Sequence, residues 1–273
     1  MNWFGTRDIK VHLGNTLNDL KGKISGQRAL DFPCGNGETL KLLDGLGATA
    51  IGGDLFPELE KYGHEVSQAD LAGEFPFQDQ EFDLAICQEG IEHVGAQNLT
   101  FNEFSRILKN GGTFVLTTPN YSKIKSRLSY LFTESEAYGR IMPPNEGDSI
   151  WLSEGAGDRI YFGHVFLTGI LRLRLFAVLS GFQLKKIHSS KVNYTSLLWF
   201  PLVYPLIYFY SLRTYRRFVR KGGSKELGRE VFHLMVSPKI LLENHLILEF
   251  EKVEEVGQAI ERVKSKGSFS MTT

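Results

Sequence analysis

The chain has 273 residues and a mass of 30.8 kDa, room for one large domain or two small ones. Its 42% hydrophobic and 23% charged residues exclude a disordered chain, a collagen and a polytopic membrane protein. Lys plus Arg equals Asp plus Glu at 31 each, so no basic excess points to nucleic acid; two lone cysteines, Cys34 and Cys87, exclude a disulfide framework and fit a reducing compartment.

The N-terminal stretch 1–26 has no uninterrupted apolar core, so it reads as a helical extension rather than a signal peptide. Strand-like runs then alternate with helix-like segments, the pattern of a parallel α/β sheet. RALDF (28–32) is a first strand that runs into a Pro-Cys-Gly turn. A helix over 38–46 follows, with Leu40, Leu43 and Leu46 on one face. ATAIGGD (48–54) is a second strand, and a third short one ends at Asp70. FDLAICQ (82–88) and GGTFVLTT (111–118) are the fourth and fifth. Between these two lies a helix with Phe101, Phe104, Ile107 and Leu108 on one stripe, which Lys109 and Gly111-Gly112 should end. Segment 166–182 predicts another helix, 183–188 a strand, and 245–253 a last strand before a C-terminal helix and tail over 254–273. Residues 121–163 are too long for a simple connection and are expected to cover a site.

In open parallel sheets ligands bind at the carboxyl ends of the strands. There the first strand leads into Asp31, Cys34, Gly35 and Gly37, while Leu40 stands where a dinucleotide fingerprint needs its third glycine. Asp54 closes the second strand about 20 residues on, where a carboxylate can bind ribose hydroxyls. A nucleoside without a pyrophosphate follows, which disfavours an NAD-dependent oxidoreductase.

The runs LDFPCGNGE and GGDLFPE resemble the first two motifs of class I S-adenosylmethionine-dependent methyltransferases. ADL (69–71), FDLAICQEGIEHV, FSRILKNGGTFVLTTPN and a later GH…LSGF complete that series in order over about 27–188. The resemblance implies a Rossmann-like, seven-stranded, mostly parallel sheet with helices on both faces and an antiparallel last strand. It implies S-adenosylmethionine as cofactor. Asp31, Cys34, Gly35 and Gly37 would hold its methionine end, Asp54 and Leu55 the ribose, Asp70 the adenine amino group and Leu71 the adenine ring. Gln88 would line the methyl-donor side. Cys34 and Cys87 themselves read as small buried residues rather than nucleophiles.

Glu89-Gly90-Ile91-Glu92-His93 follows the fourth strand directly. Were a helix to start there, Glu89 and Glu92 would share a face, with His93 beside them. Glu89 and His93 are candidates for the base or a substrate contact; Glu89, Glu92, His93 and His164 are a candidate set for a divalent ion such as Mg or Zn. Similar patterns bind metal in small-RNA 2′-O-methyltransferases and quinone-biosynthesis O-methyltransferases. A purely structural role for Glu92 and His93 is the third alternative.

Residues 194–212, YTSLLWFPLVYPLIYFYSL, are nineteen without a charge, and seven are aromatic. Pro201 and Pro205 are expected to break a regular helix, and the strands before and after must join one sheet, so a single membrane crossing is excluded. Arg213, Arg216, Arg217, Arg220 and Lys221 follow without an acid. An apolar and basic insertion over 194–233, touching the cytoplasmic membrane face through 194–221, is therefore expected within a methyltransferase domain of 27–193 and 234–253. A hydrophobic lid or an interface between proteins is the alternative.

NYSKIKSRLSYLFTES, with the later GH and the apolar stretch, resembles methyltransferases of bacterial surface-polysaccharide assembly. The expectation is a cytoplasmic, peripheral O-methyltransferase with a glycan or lipid-linked acceptor. Quinone-type or RNA 2′-O-methylation through the Glu-Glu-His cluster is one alternative; a non-catalytic, membrane-recruited interaction protein is the other. The sequence is silent on the oligomeric state.

Overall fold

The computed structural model describes residues 6–135, 144–147, 149–151 and 161–266. The elements in chain order are helices α1 (Thr6–Asp19) and α2 (Lys21–Ile24), strand β1 (Arg28–Asp31), α3 (Glu38–Gly45), β2 (Thr49–Asp54), β3 (Val66–Gln68) and β4 (Phe82–Gln88). Then come α4 (Gln97–Ile107), β5 (Leu108–Pro119), α5 (Ile124–Thr133), β6 (Ile150–Trp151), β7 (Tyr161–Phe162) and α6 (Ile170–Leu179). The chain closes with β8 (Phe182–His188), α7 (Tyr194–Arg220), α8 (Lys225–Val236), α9 (Pro238–Leu242), β9 (His245–Lys252) and α10 (Val256–Lys266).

Seven strands form one sheet in the order β3-β2-β1-β4-β5-β9-β8, with β1 parallel to β2 and β4, β2 parallel to β3, and β4 parallel to β5. β8 and β9 pair antiparallel, as the resemblance implied. The order reverses beside β1: the chain steps outward through β2 and β3, then returns to β4 and β5 on the other side. Right-handed crossovers in opposite directions put their connections on opposite faces of the sheet. The same reversal opens a crevice at the carboxyl ends of β1 and β4, where ligands bind in such sheets.

The chain divides into two units, 1–118 with 174–188 and 247–273, and 119–173 with 189–246. In the first, the N-terminal helices are core rather than appendage: Ile9, Leu13, Leu17 and Ile24 are buried with Ala29, Leu43, Leu84, Ile86 and Ile247. The α4 stripe packs as a ring cluster, with Phe104 stacked on Phe114 at 4.5 Å and Phe101 edge-on to it at 5.7 Å. Burying such rings contributes about 1.5–3 kcal/mol each. α4 gives way directly to β5 at Leu108, three residues before the expected strand start, because the fully buried Leu108 pairs with Phe82. The residues 109–112 then bulge before pairing resumes at Leu84 and Thr113.

In the second unit, Asn120 Nδ2 donates to the carbonyls of Ile240 and Glu243, and Ser190 N donates to the Glu243 carboxylate at 2.7 Å. α7 packs against α5, α8 and α9. It runs unbroken through Pro201 and Pro205, contrary to the expected break. The two prolines are four residues apart on one exposed face, so the two missing amide donors fall on the solvent side. The helix is held from its opposite face by Ser196, Phe200, Tyr204, Ile207 and Ser211, and Asn193 caps its start by accepting from Ser196 N at 2.8 Å. β6 and β7 form a two-stranded antiparallel pair. Much of the expected site-covering segment, 136–143, 148 and 152–160, lies outside the described residues, as do 1–5 and 267–273.

Candidate active site

The first unit brings most of the predicted cofactor residues to one edge of the sheet. β1 ends at Asp31, whose carboxyl is 1% exposed, and Asp31 pairs in register with Gly52 on one side and Ile86 on the other. The turn 32–37 crosses over the carboxyl end of β2. Two glycines there make room for it: a Cβ on Gly52 would lie 2.9 Å from Cys34 Sγ, and one on Gly53 would lie 2.9 Å from the Phe32 ring. Any side chain at those positions would displace the turn. Gly35 and Gly37 adopt φ of +51° and +80°, which L side chains rarely do, and Gly37 is the N-cap of α3.

Asp54 closes β2 and ties the two glycine-bearing segments together. Its Oδ2 accepts from Gly35 N at 2.7 Å and its Oδ1 from Phe56 N at 2.9 Å. The loop of β1 and the acid of β2 are therefore in direct contact, as a nucleoside site at this edge requires. Leu55, next in the chain, is half-buried, and its carbonyl accepts from Gln68 Nε2. Asp70 caps a turn after β3 through Ala72 N at 2.9 Å, and Leu71 is buried with its carbonyl held by Thr100. Gly90 packs under this wall: a Cβ there would meet Pro33 and Leu71 within 2.8 Å. Gln88 ends β4 and accepts from Thr39 of α3 at 3.1 Å.

Burial, and next the Asp54 charge beside it, push the Asp31 carboxyl well above the usual carboxylate range; Lys10 opposes them. Asp31 Oδ1 has no hydrogen-bond partner among the described residues. An orphaned buried acid at the strand's end fits a cationic or hydrogen-donating ligand group, as the amino end of S-adenosylmethionine would supply. Burial first, and then nearby acids, raise both thiols, Cys34 and Cys87, which disfavours the reactive thiolate.

Beyond β4 the expected helix does not form. Glu89 adopts φ of +48°, and only Ile91–His93 makes a single tight turn, so Glu89 and Glu92 do not share a helix face. The strand end positions them instead. Thr117 Oγ1 donates to Glu89 Oε1 at 3.0 Å and also accepts from Glu89 N. Thr118 Oγ1 donates to Glu92 Oε2 at 3.0 Å. Burial, then the Glu89 charge, raises the Glu92 carboxyl well above its ordinary range. Two carboxyls of which one is held high can divide acid and base roles. His93 is half-buried on the same turn. Of the expected ion ligands, Glu89, Glu92 and His93 belong to the first unit and His164 to the second.

The residues the sequence reading missed are the supports. Glu60, six residues past Asp54, presses its carboxylate against Gly37, where no Cβ would fit. It accepts from the backbone of Tyr62, Gly63 and His64 and from His64 Nδ1 at 2.7 Å, while His64 Nε2 reaches Asp44 at 2.9 Å. Burial raises Glu60, but these hydrogen bonds prevail and hold it down to about 2. Burial likewise lowers His64, and its two carboxylate partners raise it overall. Loop residues far apart along the chain carry no periodic signal that would have marked them.

A doubly wound sheet with this glycine turn, the acid closing β2 and an acid-lined β4 end is the arrangement that the resemblance to class I S-adenosylmethionine-dependent methyltransferases implied. Residues 30–116 match the family model described as a methyltransferase domain. Among curated proteins, a ubiquinone biosynthesis O-methyltransferase of Xanthomonas oryzae pv. oryzae is 33% identical over 133 residues, 44% of this chain and 54% of the relative. A protein of the same name from a Chelativorans species is 25% identical over 166 residues, 54% of this chain and 65% of the relative. The chain thus matches only about half to two thirds of the length of these relatives. Among solved structures, a Listeria monocytogenes protein assigned as an S-adenosylmethionine-dependent methyltransferase has a TM-score of 0.53 at 11% identity, covering 90% of this chain and 100% of that one. The PH0226 protein of Pyrococcus horikoshii has a TM-score of 0.50 at 20% identity, covering 70% of this chain and 88% of that one. Those two likenesses concern the fold alone.

Proposed function

We propose that this chain is an S-adenosylmethionine-dependent O-methyltransferase acting on a lipid-associated hydroxyl acceptor. The observation that carries the cofactor half is the Asp31 carboxyl, buried with Oδ1 unsatisfied beside a turn that Asp54 fastens at Gly35. The cofactor supplies an activated methyl group, so the protein's work is alignment, exclusion of water and removal of one proton. Alignment can lower such a barrier by roughly 7–11 kcal/mol. Either Glu89, anchored by Thr117, or His93 takes the acceptor's proton, and the other contacts the substrate. A second reading of the acceptor, a quinone-type ring, is supported by relatives named for ubiquinone biosynthesis. The zero net charge and absence of a basic excess weigh against RNA. Two buried free thiols suit a cytoplasmic setting.

Turnover with labelled S-adenosylmethionine on a quinone-type phenol, a lipid-linked glycan and an RNA tests this directly. Transfer to a lipid-associated hydroxyl is expected; binding of cofactor with no transfer to any acceptor would leave an interaction protein. Running the same assay after dialysis against EDTA separates the base reading, which survives, from an ion held by Glu89, Glu92 and His93, which does not.

A further inference from the structure

We propose that α7, with the end of α5, is a docking surface for an anionic lipid bilayer, on which α7 lies along one leaflet without crossing it. The inference goes beyond the methyl-transfer reading and does not depend on it. Along the outward side of α7, Leu198, Leu202, Leu206 and Phe209 follow one another at i, i+4, i+8 and i+11. They are exposed by 76%, 65%, 59% and 58%. The same stripe continues as Arg213, Arg216 and Arg220, with Arg217 and Lys221 beside it. The outward face is thus apolar for about three turns and then basic, with no carboxylate anywhere in the helix. α5, packed on α7, also exposes Leu131 and Phe132, by 71% and 79%.

A protein partner could cover an apolar stripe; the run of cations joined to its end selects lipid. Apolar side chains of this length reach the acyl boundary while arginines bind phosphate head groups, each charge adding to the attraction near an anionic surface. Tyr194, Trp199, Tyr208 and Tyr210, all exposed, are the residue types that favour that boundary.

Spanning is excluded by what packs behind the helix. α8 turns back at 221–224 and lies against the second half of α7, with Phe232 meeting Tyr208 at 5.5 Å and Tyr215 at 5.9 Å. Its Glu226, Arg229 and Glu230 are exposed and would enter hydrocarbon with a crossing α7. The strands before and after, β8 and β9, also pair within one sheet.

The test is flotation of the full chain with phosphatidylcholine vesicles, with and without phosphatidylglycerol. Recovery with the anionic vesicles, weakening as salt rises and released by an alkaline carbonate wash, is expected. Arg213→Gln/Arg216→Gln/Arg220→Gln should lower partition by about a hundredfold, on the order expected for three surface charges. Leu198→Ser/Leu202→Ser/Leu206→Ser should abolish it. These side chains are exposed, and an unchanged Tm and S-adenosylmethionine affinity in each variant shows that the fold persists. Equal flotation of the variants, retention through the carbonate wash, or concentration-dependent self-association in place of vesicle binding would each overturn the proposal.

Discussion

Asp54 Oδ2 accepts a hydrogen bond from Gly35 N at 2.7 Å, joining the loop after the first strand to the acid that closes the second. The carboxylate also holds Phe56 N, so it braces two loops before a ligand arrives. An ionised carboxylate has acceptor sites beyond these two bonds.

Asp54→Ala is therefore expected to weaken S-adenosylmethionine binding by about ten- to a hundredfold, the range for hydrogen bonds to a charged group. Calorimetry measures it; an unchanged affinity would remove Asp54 from the site.

Gly37→Ala meets two obstacles at once, a φ of +80° and the Glu60 carboxylate where the methyl group would lie. Destabilisation of about 1–3 kcal/mol is expected in urea unfolding, together with loss of cofactor affinity. Gly45→Ala, at a helical position with nothing near the added methyl, is the control and should be neutral or stabilising.

Burial of the Asp31 carboxyl costs stability as pH rises. An acid whose pKa is raised on folding stabilises the fold while protonated, and that contribution is lost as pH rises from its unfolded value through its folded one. Asp31→Asn does not titrate. The variant's Tm advantage over the wild-type protein should accordingly grow with rising pH above about 4, while its cofactor affinity falls. A pH-independent difference in Tm would contradict the assigned burial.

The Glu60–His64–Asp44 clamp has the opposite limits. His64 is raised, so its contribution is full below about pH 6.5 and lost as pH rises through the folded value. Glu60 is lowered to about 2, so its contribution is full above about pH 4.3 and lost as pH falls toward 2. Protection of the Gly63 and His64 amides from hydrogen exchange, relative to their intrinsic rates at each pH, should be greatest between those limits. His64→Ala should remove the alkaline limb and leave the acidic one.

Glu89→Gln and His93→Gln are expected to lower kcat by about a hundredfold or more where the residue is the base, with cofactor affinity within twofold of wild type. A variant that loses affinity and kcat together would indicate a positioning role instead.

The sheet, and the meeting of the glycine turn with the acid that closes β2, are legible in the chain alone, because both rest on local rules. Alternating apolar runs specify buried strands, and the spacing from Gly35 and Gly37 to Asp54 is a property of one turn, one helix and one strand. The start of β5 escaped that reading, because the pairing of Leu108 with Phe82 across the sheet outweighs the helical stripe it also completes. The same limit appears at Glu89: its i, i+3 spacing to Glu92 suggested a shared helix, yet anchorage by Thr117 and Thr118, 28 and 26 residues away, replaces that helix with a single turn. Pro201 and Pro205 forbid a helix by local propensity, and packing of α5, α8 and α9 along one face of α7 sustains it. Contacts made on folding settle these points, since partners distant along the chain outweigh preferences of about 3 kcal/mol or less per residue.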